Sequence, residues 1–100
     1  MIKHVVMWKF KESADGRSAQ ENMRIAAARL YALRGVIGEL KSMKIYTDIS
    51  HTDMSMDMML DTEFDTFEDM KSYAVNPEHK KVSAFIRSVI ESRVVLDSEM

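Results

Sequence analysis

The residues best suited to proton chemistry flank the only proline of the sequence, Pro77. Asn76 is a good N-cap and proline is favoured at the first helical position, so one helix should end near Val75 and the next begin at Pro77. Tyr73 then lies in the last turn of the first helix and His79 in the first turn of the second. The imidazole can act as a general base, and the phenol can donate to a developing enolate or phenolate oxygen.

Two roles remain open for His79. Its spacing with Val82, Ile86 and Ile90 places it on the inner face of its helix. Close to the helix N-terminus, the dipole disfavours the imidazolium and keeps the ring neutral, as a general base requires. Buried histidines are also often structural, and His79 can instead bond a carboxylate that ties its helix to the last strand.

A metal site is the next kind of chemistry to consider. Met54, Met56 and Met58 alternate along the chain, and such thioethers can bind Cu(I). Alternating methionines on a strand are more often adaptable core residues, and no cysteine or nearby histidine completes a site. His51 also lacks a second ligand at suitable spacing. We therefore expect neither a metal nor a cofactor.

Composition limits the class of protein. The 100 residues fit a single domain, residues 1–100, and the net charge of −2 argues against a nucleic-acid partner. There is no cysteine, which excludes disulfides and thiolate chemistry. Lys3 and Lys9 interrupt the first apolar run, so we expect no signal peptide and no membrane span, and the cytoplasm is the expected location.

The spacing of apolar residues predicts how these side chains are positioned. A helix should begin after a Ser18 capping box and end near Leu33 or Arg34, and a second helical region is broken at Pro77. Alternation predicts four strands, over 2–11, 40–48, 56–65 and 91–97. Right-handed crossovers and a central hairpin then favour an α+β, ferredoxin-like βαββαβ fold with an antiparallel four-stranded sheet in the order 4-1-3-2.

The helices of this fold cover one sheet face only, and the other face needs a partner. It carries an apolar centre that includes Val5, Met7 and Met59. Charged residues surround that centre: Lys3, Lys9, Lys11, Asp57, Asp61 and Glu63. An apolar centre with a polar rim is typical of a protein interface, so we expect a homodimer through this face.

Three segments resemble the stress-responsive A/B barrel (Dabb) family: Ile2–Lys11, the corner from Tyr73 to His79, and Val94–Asp97. The resemblance implies a dimeric α+β barrel whose two sheets meet face to face. Some members are similar to olivetolic acid cyclase, a cofactor-free polyketide cyclase. Similarity to these members implies that His79 is the base, Tyr73 its tyrosine partner, Asp97 the carboxylate that orients the base, and His4 a pocket-lining residue.

The resemblance also implies a pocket between helices and sheet. Its expected lining is the inner side chains His4, Val6, Trp8, Met58, Leu60, Val82, Phe85 and Ile86. Met58 stands where the cyclase has a further histidine. One function is the binding of a hydrophobic or phenolic small molecule, in a stress-related role without chemistry. The alternatives are a cofactor-independent cyclase or lyase and, less favoured, a monooxygenase of the related barrel type, so the sequence leaves open whether the protein is an enzyme.

Overall fold

Six strands and three helices form the protein in a computed structural model that describes residues 1–100. In chain order the elements are β1 (Ile2–Phe10), β2 (Ser13–Ala14), β3 (Arg17–Ser18), α1 (Ala19–Tyr31), β4 (Ser42–Thr47), β5 (Met58–Phe64), α2 (Phe67–Val75), α3 (Pro77–Val89) and β6 (Ile90–Glu99). The long strands form one antiparallel sheet in the order β4-β5-β1-β6. This arrangement confirms the predicted α+β, ferredoxin-like fold and its strand order.

The core lies between the inner sheet face and the helices. Val6 pairs with Leu60 and Trp8 with Met58 across β1 and β5, and all four side chains are buried. Helix residues complete the core, among them Ala26, Leu30, Val82, Ile86 and Val89. Each large apolar side chain buried in this way stabilises the fold by about 1.5–3 kcal/mol.

The corner at Pro77 forms as its sequence predicts. Helix α2 ends at Val75 and α3 begins at Pro77. The side-chain oxygen of Asn76 accepts a hydrogen bond from the backbone N–H of Glu78 at 2.9 Å. This cap fixes the direction of the first turn of α3, and therefore the position of His79.

Several element boundaries differ from the prediction. Helix α1 ends at Tyr31, before the predicted end near Leu33 or Arg34. The residues that follow form turns, in which Gly35 adopts a left-handed φ of 79°. Leu40 lies outside β4, and Met56 lies outside β5 and is only half-buried. Strand β5 therefore begins later than predicted, and Met56 is not one of its inward-facing residues.

The small hairpin of β2 and β3 was not predicted. Asp15 and Gly16 form its turn with φ values of 54° and 73°. Asn22 of α1 is fully buried beneath it, where its side-chain amide donates to the carbonyl of Ala14 at 3.1 Å and accepts from Arg17 Nε at 2.8 Å. These two bonds attach the hairpin to α1.

An apolar row crosses the outer sheet face. Met7 pairs with Met59 and Val94, and Met59 pairs with Tyr46, so one row spans all four strands of the sheet. Ion pairs flank this row, with Lys3 Nζ at 2.9 Å from Asp61 and 3.2 Å from Glu63, and Lys9 Nζ at 3.3 Å from Asp57.

None of the helices has the length and apolar character needed to cross a bilayer.

Candidate functional site

A cavity of about 240 Å³ lies where α3 and the inner sheet face meet. Its apolar lining consists of Val6, Trp8, Leu30, Leu60, Ile86 and Ile90. Its polar lining consists of His4, His79, Ser83, Arg87 and Arg93. A lining that combines an apolar wall with several polar groups is typical of a site for a small organic molecule.

His79 enters this cavity from the first turn of α3 with one ring nitrogen free. Its Nδ1 lies 3.2 Å from the carbonyl oxygen of Ala74, and Nε2 bonds no protein group. Because a carbonyl only accepts, Nδ1 carries the hydrogen and Nε2 keeps a lone pair in the neutral ring. Burial lowers the pKa of His79, and the charges of His4 and Arg93 lower it further, while the bond to Ala74 opposes them. The ring is therefore neutral at physiological pH, mainly through burial.

His4 is the second imidazole of the cavity, and its partner is Asp97. The two residues are direct neighbours in the β1–β6 register, and His4 Nδ1 bonds the carboxylate oxygen of Asp97. Thr62 on the opposite neighbour, β5, donates to the backbone carbonyl of His4 at 2.8 Å. Asp97 therefore orients His4, and the expectation that it orients His79 is wrong, because the strand register places residues 4 and 97 side by side on the inner face.

Tyr73 contacts His79 without lining the cavity. The two rings lie 4.3 Å apart between centroids, and the ring of Phe64 lies 5.0 Å from Tyr73. The phenol is 1% exposed, and its hydroxyl has no hydrogen-bond partner in the protein. Burial raises the pKa of Tyr73 well above its ordinary value, so the hydroxyl keeps its proton.

The structure divides the predicted lining residues into two groups. His4, Val6, Trp8, Leu60 and Ile86 line the cavity together with His79. Three further predicted residues, Met58, Val82 and Phe85, do not.

Each of these three residues lies outside the cavity, in a different part of the protein. Met58 sits near the start of β5, at two other surface pockets. Val82 is in the core, and Phe85 packs against Arg29, whose guanidinium carbon lies 4.3 Å from the ring centre. Their helix and strand faces point inward as predicted, but the cavity occupies only part of the inner face.

The polar lining includes three residues that the sequence analysis missed. Ser83 and Arg87 follow His79 at intervals of four residues, which places all three on one face of α3. That spacing was a usable signal. Arg93 lies on β6 and shares the inner side with Asp97: its partner on β1 is Trp8, four residues beyond His4, the partner of Asp97.

No group of three or more histidine, cysteine, aspartate or glutamate side chains is arranged to hold a metal ion. The three methionines considered for copper lie in different environments. Met54 is 93% exposed, Met56 is half-buried and Met58 is 2% exposed. Their side chains therefore do not share one environment.

Together, the fold and the cavity define a ferredoxin-like α+β domain with a small site between its helices and sheet. A model of the stress responsive A/B barrel domain, Dabb, matches residues 2–100, and the chain belongs to this family. The family predicted from the sequence is thus confirmed. Among curated protein sequences, none matches the chain significantly.

Solved structures share the fold across the whole chain. A dimeric ferredoxin-like protein of unknown function from Bacteroides fragilis has a TM-score of 0.79 at 24% identity, over 99% of this chain and 95% of that one. A hydroxynitrile lyase from Passiflora edulis has a TM-score of 0.82 at 18% identity, over 97% and 90% of the two chains. An antibiotic biosynthesis monooxygenase has a TM-score of 0.70 at 12% identity, over 100% and 98%. At these identities the likeness establishes the fold alone.

Proposed function

We propose that the protein binds a small, largely apolar carbonyl or phenolic molecule in the cavity and abstracts a proton from it without a cofactor. One observation carries the proposal: His79 lines the cavity as a neutral imidazole whose Nδ1 is bonded to Ala74 and whose Nε2 is free. A structural histidine would have both ring nitrogens bonded within the protein. The free nitrogen is where a general base must offer its lone pair.

The second imidazole of the cavity has a fixed orientation. His4 is held through Nδ1 by Asp97, and its Nε2 is bonded to no protein group. In the proposed reaction, His79 Nε2 takes a proton from a carbon or hydroxyl of the ligand. An enolate or phenolate oxygen then forms in the polar part of the cavity, beside the imidazole of His4 that Asp97 orients. Tyr73 acts as a positioning residue, because its ring packs directly against that of His79.

The reaction class is that of a cofactor-independent lyase or cyclase. The hydroxynitrile lyase from Passiflora edulis supports this reaction class, since that protein has the same fold. Binding without chemistry is the competing function, because the apolar lining alone suffices for it. The free Nε2 of His79 favours the enzyme.

We also propose that the protein is a homodimer whose interface is the outer sheet face. The apolar row of Met7, Met59, Val94 and Tyr46 is continuous across the sheet, and Val94 and Tyr46 are about half exposed, at 49% and 47%. Large contiguous apolar patches on a soluble domain usually mark an interface. The dimeric state of the Bacteroides fragilis relative supports a dimer.

Deuterium exchange tests the proposed base directly. Acetophenone is small enough for the cavity, and loss of its methyl proton signal in D₂O reports proton abstraction next to the carbonyl. We expect the wild-type protein to accelerate this exchange and His79→Gln to remove the acceleration. His51→Gln is the matched control, because His51 lies on an exposed loop outside the cavity.

Two outcomes would contradict parts of this proposal. Equal acceleration by wild type and His79→Gln would show that His79 is not the base. Saturation-transfer NMR showing that acetophenone binds, with no accelerated exchange, would leave a small-molecule binding protein without this proton chemistry.

A further inference from the structure

Two arginines of the cavity have no acidic partner. The only side-chain hydrogen bond of Arg87 is a long one to the hydroxyl of Ser83, at 3.4 Å, and the guanidinium of Arg93 forms no hydrogen bond or ion pair. No carboxylate lines the cavity, and that of Asp97, on the same strand as Arg93, is bonded to His4. The polar part of the cavity is therefore positively charged, beside an apolar wall.

Such an arrangement selects for a particular ligand chemistry. A guanidinium offers a planar pair of N–H donors that matches the two oxygens of a carboxylate. Two guanidiniums without partners beside an apolar surface suit a molecule with one anionic end and one apolar end. A neutral ligand would form neither of these charge-assisted hydrogen bonds.

We infer that the small molecule bound in this cavity carries a carboxylate, which pairs with Arg87 and Arg93. Its apolar part packs against the side chains of Val6, Trp8 and Leu60. This inference deepens the proposed function, on which it rests for the location of the site. It assigns the substrate class as small apolar monocarboxylic acids.

A bound carboxylate would also act on the base. The positive charge of Arg93 disfavours protonation of His79. Pairing of Arg93 with the ligand carboxylate offsets that charge, so His79 becomes a stronger base once the ligand is in place. The free protein thus holds a weak base that the correct ligand strengthens.

Isosteric probes test the inference by calorimetry. Phenylacetate and phenylacetamide have the same shape and differ in charge. We expect the wild-type protein to bind phenylacetate about tenfold or more tightly than phenylacetamide, in line with charge-assisted hydrogen bonds. The double variant Arg87→Gln/Arg93→Gln should lose this preference while its affinity for phenylacetamide changes by less than about twofold.

One control variant and three contrary outcomes accompany this experiment. Arg34→Gln should keep the preference, because Arg34 lies over the ring of Tyr31, outside the cavity. Equal wild-type affinity for the two probes would overturn the carboxylate inference, and acetophenone exchange through His79 would still stand as evidence for the proposed function. Tighter binding of benzylphosphonate than of phenylacetate would overturn the carboxylate in favour of a phosphate-like group. Failure of both probes to bind would overturn the inference together with the binding site.

Discussion

The unpaired hydroxyl of Tyr73 leads to the prediction that removing it raises the free energy of unfolding, which is unusual for a core substitution. Tyr73→Phe removes only this hydroxyl, which is buried and has no hydrogen-bond partner. The ring contacts with Phe64 and His79, at 5.0 and 4.3 Å between centroids, remain possible for phenylalanine. The substitution therefore relieves a desolvation cost without removing a bond, and we expect it to stabilise the protein.

The magnitude follows from the cost of burying an unpaired polar group. Protein data place that cost at about 1–3 kcal/mol, and we expect a gain near the lower end, about 1 kcal/mol, because some relaxation accompanies burial. For a domain of this size, about 1 kcal/mol corresponds to a rise in Tm of about 4–8 °C. Thermal and urea denaturation of wild type and variant, at equal protein concentration, measure the change.

Tyr31→Phe is the matched control, because the same atom is removed from a different environment. The hydroxyl of Tyr31 accepts from the backbone N–H of Ile45 at 3.0 Å. Its loss leaves that donor without a protein partner and should destabilise the fold by about 0.5–1.5 kcal/mol. Equal destabilisation by both substitutions would refute the reasoning, since it would show that the Tyr73 hydroxyl is bonded in solution.

Two further predictions concern the base and the interface. Folding lowers the pKa of His79 from about 6.5, so below that pH the unfolded chain takes up a proton that the folded protein does not. The free energy of unfolding therefore decreases as the pH drops below 6.5 through the folded pKa. His79→Gln should lose less stability than wild type between about pH 7.5 and about pH 5 in urea titrations, and identical losses would contradict the lowered pKa. Met7→Glu should dissociate the proposed dimer in analytical ultracentrifugation by burying a charge at its centre. Ser72→Glu, at an exposed position of α2 on the opposite side of the sheet, is its control, and a dimer unaffected by Met7→Glu would place the interface elsewhere.

The fold could be predicted because its signals are local. Alternating apolar residues indicate strands, and Asn76 with Pro77 specifies a helix boundary through backbone chemistry alone. The hairpin of β2 and β3 could not be predicted, because strands of two residues are too short to show a period. Its attachment depends on Asn22, whose burial is a consequence of tertiary packing.

The site was harder to predict because it depends on strand register. A shift of one residue between neighbouring strands reverses which side chains share a face. No local pattern shows that residue 97 lies beside residue 4; the assignment of Asp97 to His79 rested on the family resemblance alone, and the strand pairing contradicts it. Arg87 follows from the helical spacing that includes His79, whereas the position of Arg93 follows only from the pairing of β6 with β1.

The pairing of β6 with β1 also bears on how the site assembles during folding. His79 contacts Ala74 and Tyr73, so its surroundings arise within one short helical corner. His4 and Asp97 are 93 positions apart, and their bond requires closure of nearly the entire chain. One imidazole of the cavity can thus take its native surroundings early and locally, whereas the other is oriented only when the last strand docks. The His4–Asp97 bond is therefore present only in molecules whose sheet is complete.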